Sequence, residues 1–214
     1  MESRNKALNY VVWALVILII VVGIWIVYEK VSQKQAGRPY TVYNGYVIYE
    51  DKDEKSLRYR VEAVANDGKK YIHYFKKYPE DLLNLSYENG LKEKILYSDL
   101  DNSAKKNKIY FSYDPDMDGN EILAAGTLVQ ILGINDAGVY NIPTVISVTK
   151  DSGNPDFPIK TCEDATDEIG VIELKYGEPR IYSEGDCVIV QGNNREEFIN
   201  MNDLLSYILL GVIE

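Results

Sequence analysis

The chain opens with an apolar run that has no polar alternation in it. Tyr10 to Tyr28 reads YVVWALVILIIVVGIWIVY, and no charge occurs between Ala7 and Tyr28. A helix needs roughly 20 apolar residues to cross a bilayer. At about 1.5 Å rise per residue, Tyr10 and Tyr28 stand ~27 Å apart, close to the hydrocarbon thickness. Tyr10, Trp13, Trp25 and Tyr28 lie near the two ends, where amphipathic rings settle at the headgroup level. The pattern predicts a transmembrane helix over 9–28, with a cytoplasmic stub at 1–8 and a polar linker at 29–39 containing Gly37 and Pro39. A cleaved signal peptide would have an apolar region of about 7–15 residues and a small-residue cleavage site behind it. Ala36-Gly37 sits in polar surroundings, so the anchor is expected to be retained.

Beyond the linker the periodicity changes to two. Leu57, Tyr59, Val61, Ala63 and Ala65 alternate with Arg58, Arg60 and Glu62, the mark of a half-buried strand. Turn residues flank it at 51–55 and at Asn66-Asp67-Gly68. Strands over 40–50, 57–65 and 69–77 are therefore expected as an antiparallel meander, a β annex at 40–78. Eight of the 18 tyrosines fall here. They read as strand-face packing, and His73 as a structural residue of the third strand.

From 79 to 214 the pattern is that of an α/β domain. Leu91, Ile95 and Leu96 have helical spacing. Ile109 to Tyr113 reads as a strand followed by a helix over 121–132, with Ile122, Ala125, Val129 and Leu132 on one face and Gly133 at its end. Cys187 to Val190 and the helix after it repeat the plan, with Asn194 and Glu197 as a capping pair and Phe198, Met201, Leu205 and Ile208 as the stripe. An offset of 78 aligns Ile109 with Cys187 and Gly133 with Gly211. Between the two units, 144–148, 169–174 and 180–182 are strand-like, and Gly177-Glu178-Pro179 is expected to join the last two as a hairpin. The expected fold class is mixed α/β (α+β), a mixed sheet covered by two or three helices.

Charge narrows the partners. Residues 1–38 hold five basic and two acidic side chains, which leaves 18 basic and 31 acidic over 39–214, a net of −13. Such a domain repels phosphate backbones, so no nucleic-acid partner is expected. Two Lys/Arg precede the apolar run and three follow it closely (Lys30, Lys34, Arg38), which by itself leans against export of the domain. The short N-terminal tail, the acidic domain and the two cysteines point the other way, to a domain outside the cytoplasm. Cys162 and Cys187 are expected to pair in a disulfide, with two buried free thiols as the alternative; neither has a CxxC or histidine nearby. Asn84-Leu85-Ser86 is a glycosylation sequon, with Asn84 the acceptor.

Catalytic patterns are scarce. One histidine removes most His-dependent triads, and GxSxG, GxxxxGK[ST], HExxH and GxGxxG are all missing. Acid pairs such as Asp99 with Asp101 and Glu163 with Asp164 are expected on so acidic a surface. Gly192-Asn193-Asn194 reads as a loop and cap. The sharpest motif is Asp114-Pro115-Asp116-Met117-Asp118-Gly119. It resembles the first half of an EF-hand-type calcium loop, which implies calcium at Asp114, Asp116 and Asp118. Position 12 of such a loop would be Ala125, not glutamate, and a strand enters it. The other reading makes Asp118 an N-cap with Glu121 at N3. Lys6-Ala7-Leu8 resembles the cleavage site of archaeal type IV pilin-like precursors, which implies a filament-core helix after cleavage at Ala7. The expectation for the whole is a single-pass, membrane-anchored extracytoplasmic domain, a non-catalytic envelope subunit or binding module that meets other membrane or envelope proteins. The alternatives are a pilin-like filament subunit and a calcium- or carboxylate-dependent enzyme.

Overall fold

The computed structural model describes residues 13, 17–25 and 39–214 apart from 53–56, 66, 100 and 134–137. Met1–Pro39 and Tyr40–Glu214 are two compact units. In the first, 17–25 is helical with exposed side chains, and among the described residues no helix is long and apolar enough to cross a membrane. The stub at 1–8, the site at Lys6-Ala7-Leu8, most of the linker and both ends of the expected span at 9–28 lie outside the described residues.

The second unit is mixed α/β, with an antiparallel sheet of four strands and a mixed sheet of six. The first sheet runs β1 (Tyr40–Tyr43), β2 (Tyr46–Lys52), β3 (Leu57–Val64) and β4 (Lys70–Phe75) in sequence order. One strand was expected over 40–50. The chain instead folds back at Asn44-Gly45, with φ of 46° and 82°, and pairs Tyr43 with Tyr46. Two successive positive φ values are what a two-residue hairpin turn of matching twist requires, and Asn-Gly supplies them cheaply.

Short helices α1 (Pro79–Leu82) and α2 (Leu91–Leu96) flank the two-residue strand β5 (Ser86–Tyr87). Then come β6 (Lys108–Tyr113), α3 (Gly119–Ile122), a 3-10 turn at Leu123–Ala125 and α4 (Gly126–Leu132). The helix expected over 121–132 is thus interrupted by the 3-10 turn at Leu123–Ala125, just before Gly126, a weak helix former. The rest is β7 (Thr144–Val148), β8 (Ile169–Tyr176), β9 (Arg180–Glu184), β10 (Cys187–Gly192) and α5 (Arg195–Leu210).

The second sheet has the order β5-β9-β10-β8-β6-β7, with β7, β6, β8 and β10 all parallel. This corrects the hairpin expected at 177–179. β8 and β9 do not pair, because β10 lies between them, parallel to β8 and antiparallel to β9. Burial explains the order. Every residue of β10 is buried, whereas Arg180 and Glu184 of β9 are exposed. The strand that is apolar on both faces takes the inner position. The 177–179 turn therefore bridges over the end of β10. Gln191 fills the space where a Gly177 side chain would stand and accepts a hydrogen bond from Arg180 Nε at 2.9 Å.

α5 lies between the sheets. Its N-cap forms as expected, with Asn194 accepting from the Glu197 N–H at 3.1 Å. At its end Gly211 (φ 76°) closes a Schellman motif, with Val212 N–H donating to Tyr207 O and Gly211 N–H to Ile208 O. Phe198, Met201, Leu205 and Ile208 are buried, and so is every other residue from Met201 to Leu210. The core joins both sheets. Phe75 of β4 stacks on Tyr207 with ring centroids 4.0 Å apart, and Val188 and Val190 of β10 belong to the same cluster. Sequence change 78/79 is thus a change of sheet inside one compact unit. On the far side of the second sheet, Val171, Cys187 and Ile189 form a smaller cluster with Tyr110, Cys162, Ala165 and Tyr182.

The Phe75–Tyr207 contact should carry a large share of the link between the first sheet and α5. Phe75→Ala is expected to cost about 3–5 kcal/mol, as a large aromatic truncated in a closed core does. Tyr207→Phe strands only the Lys77 carbonyl, which accepts from the Tyr207 hydroxyl at 2.9 Å, and should cost about 1 kcal/mol. Denaturant titrations of the two variants check the ratio; equal losses would place the link elsewhere.

Candidate functional site

The carboxyl ends of β7, β6, β8 and β10 share one edge of the second sheet. In open α/β sheets ligands sit outside such an edge, where the strand connections diverge. Asp114, Asp116 and Asp118 lie there, in the turn after β6. The structure gives each of them a local partner. Lys150 Nζ stands 3.0 Å from Asp114 and 2.6 Å from Asp116. Asp114 also accepts from the Asp116 N–H at 2.9 Å. That hydrogen bond, followed by Lys150, holds the Asp114 carboxyl below its usual range, and Asp116 with Asp114 raises Lys150. Asp118 accepts from the Asn120 N–H at 2.7 Å and caps α3, and Ala125 is buried in the core. An ammonium from 34–36 residues away thus stands against the first two acids, and the third is committed to a helix end. Across the same edge Glu121 accepts a hydrogen bond from the Tyr176 hydroxyl, latching the β6 turn to the end of β8.

Cys162 and Cys187 form a disulfide. With Glu173 they make the one group of three candidate metal ligands among the described residues. Both sulfurs are committed to each other, so no thiolate is available. Burial pushes the Glu173 carboxyl up, and it accepts from the Cys162 N–H at 3.3 Å. Asn84 is exposed in the turn between α1 and β5, open to its expected modification. Asp99 is taken up in its own turn, accepting from the Ser103 and Ala104 N–H groups.

Two of the concave sites among the described residues are not signalled by the sequence. The larger, about 590 Å³, includes Lys94, Tyr97, Lys106, Asp167 and Asp186 in its walls. Lys106 is 4 % exposed, crosses over Gly170, and donates to the Thr166 and Asp167 carbonyls at 2.9 and 3.0 Å. Burial pushes its ammonium down, opposed by Asp186 and Asp167. Those two carbonyls make it a strut for the loop before β8. The second site is a groove of about 330 Å³ where β4 meets α5, with Asp203 among its lining residues.

Asp203 is 5 % exposed on α5, and its Oδ2 accepts from the Lys76 and Lys77 N–H groups at 2.7 and 3.0 Å. Burial pushes its pKa up to about 7, against those two hydrogen bonds and the lysine charges. The signal for it in the sequence was Asn202, Asp203 and Ser206 inside an otherwise apolar ten-residue run, a pattern that buries polar groups once both helix faces are covered. His73 of β4 is 3 % exposed, and neither ring nitrogen has a partner among the described residues. Burial lowers its pKa to about 4.

Comparison with family models, curated proteins and solved structures finds no match to this chain.

The two buried groups give opposite pH slopes. Asp203 has a folded pKa above its unfolded one, so its contribution falls as pH rises from about 4 to about 7. His73 has a folded pKa below its unfolded one, so its contribution is lost as pH falls from 6.5 to about 4. In the native protein the slopes offset across this window. Asp203→Asn should leave a stability that rises with pH, and His73→Leu one that falls, each by on the order of 2–4 kcal/mol. Urea unfolding at pH 4.5 and 7.5 checks the signs. For the acidic turn, millimolar calcium should leave the melting temperature of the native protein unchanged, because Lys150 already faces Asp114 and Asp116. Differential scanning fluorimetry with calcium and with a chelator measures it; a rise that Asp114→Ala abolishes would support the calcium reading.

Proposed function

We propose that the chain is a single-pass membrane protein whose domain at 40–214 works outside the cytoplasm as a non-catalytic binding module of the cell envelope. The observation that carries this reading is the Cys162–Cys187 disulfide in a domain that follows an uncharged apolar run. Disulfides persist in oxidising compartments, and a run of this length is a membrane anchor by its hydropathy. The polar groups support the non-catalytic part. Asp99, Asp118, Asp164 and Asp203 all accept hydrogen bonds from backbone N–H groups, and Lys106 braces two carbonyls. These are structural tasks for the acids and the lysine that perform them. The first sheet meanwhile turns Tyr40, Val42, Val47, Val64, Ile72 and Tyr74 outward with 39–64 % exposure, apolar side chains that a partner surface could cover.

The test is made on the chain in its native membrane. It should stay in the pellet through alkaline carbonate washing, and protease added to intact cells should remove the domain. Maleimide should label Cys162 and Cys187 only after reduction. Intact mass should show an N-terminus upstream of Leu8; one at Leu8 would shift the reading to the filament subunit. A washable or protease-resistant chain with open thiols would end the proposal.

A further inference from the structure

The groove where β4 meets α5 concentrates positive charge on a strongly negative domain. Its lining includes Arg58, Lys76 and Arg195. Only four arginines occur in 39–214, and two of them are here. All three cations are exposed, and among the described residues none has a carboxylate within 4.0 Å. Among the described residues, three nearby acids have other partners. Asp51, opposite Arg58 in the β2–β3 register, stands 3.5 Å from Arg60, and Glu196 stands 2.5 Å from Lys77. Asp203, at the groove's inner wall, accepts from two backbone N–H groups.

The cations come from three elements that the fold brings together. Arg58 lies one residue beyond the Tyr59–Phe75 pair, Lys76 directly follows β4, and Arg195 opens α5. The rest of the lining mixes polar Thr127 and Gln130 with apolar and aromatic side chains, of which Tyr74 is 46 % exposed and Leu123 77 %. Two planar guanidinium groups and an ammonium lining one groove offer forked donors that match the oxygens of a phosphate. The exposed rim of Leu123 and Tyr74 would meet whatever apolar body the phosphate is attached to.

We propose that this groove is a binding site for a phosphate group, carried by a small anion or by the headgroup of an anionic lipid. Arg58 and Arg195 clasp the phosphate oxygens, Lys76 adds a third positive charge, and Leu123 and Tyr74 contact the attached chain where there is one. The site does not depend on the anchor reading, since it lies wholly within 40–214.

Isothermal titration calorimetry on the full chain in non-ionic detergent, at fixed chloride, tests it with two probes: inorganic phosphate and dihexanoyl phosphatidylglycerol. Saturable binding is expected, with roughly millimolar dissociation constants for inorganic phosphate. Arg58→Gln and Arg195→Gln should each weaken it about tenfold or more, as loss of a charge-assisted pair does. Both are exposed, so the variants keep the fold, and unchanged melting curves verify that. Lys175→Gln, which removes one exposed charge on β8, should leave binding unchanged. A lipid source shows as tighter binding of the short-chain lipid, with the gain abolished by Leu123→Asp; a free-phosphate source shows as equal binding of both probes. No saturable binding of either probe, or equal weakening by Lys175→Gln, overturns the site.

Discussion

The fold depends on one helix being covered on both sides. α5 packs against the first sheet through Tyr207 and Phe75 and against the second through the valines of β10, so no residue between Met201 and Leu210 reaches solvent appreciably. A helix in that position must be apolar all round or satisfy its polar groups internally. The chain does the second in part, since Asn202 Oδ1 and Ser206 Oγ are buried with no partner among the described residues. Leucines and isoleucines fill most of the circumference, Asn202 donates back to the Phe198 carbonyl at 2.8 Å, and Asp203 receives two N–H groups from the end of β4. That last contact holds the β4 terminus against α5, and it does so with a carboxyl whose ionised form burial disfavours. The core and the junction at which the sheets meet are therefore one construction.

Local pattern carried the elements further than it carried their arrangement. The alternation at 57–65 and the helical stripe at 198–208 sit where their periodicity places them, because each reflects a face that is buried in the final structure. The Asn44-Gly45 turn was legible in principle: the dipeptide is the strongest short hairpin signal, hidden here because tyrosines and valines on both sides read as one strand. The position of β10 between β8 and β9 was not. Sequential strands joined by three residues usually pair, and what separates them is the longer-range competition for the inner place, which only the buried character of both faces of 187–192 expresses. The strands of the two strand–helix units, β6 and β10, are both parallel neighbours of β8.

The same distinction explains the acidic turn. Alternate aspartates before a glycine describe a chain that can gather negative charge at one point. They do not describe what neutralises it. Lys150 follows β7, and β7 pairs with β6, so the register of two parallel strands delivers an ammonium to Asp114 and Asp116. A cation supplied by the fold and a cation from solution satisfy the same local pattern. Asp203 is the converse case, an acid with no motif around it whose environment alone changes its chemistry.

Oxidation enters this architecture at a specific place. β10 is buried on both faces, but the two coverings differ in kind. Toward the first sheet it meets a sixteen-residue helix with its own caps and a continuous core. On the other side it meets the loop before β8, which adds Cys162 and Ala165 to the small cluster around Val171 and Ile189. A loop with so little to bury cannot offset its own ordering entropy by packing. The Cys162–Cys187 bond spans 25 residues, and closing a loop of that size removes about 3 kcal/mol of unfolded-state freedom in the chain-entropy description. Lys106 adds the second fastening, from below, through the Thr166 and Asp167 carbonyls. The far face of the central strand is thus kept covered by a covalent bond where its near face is kept covered by a core.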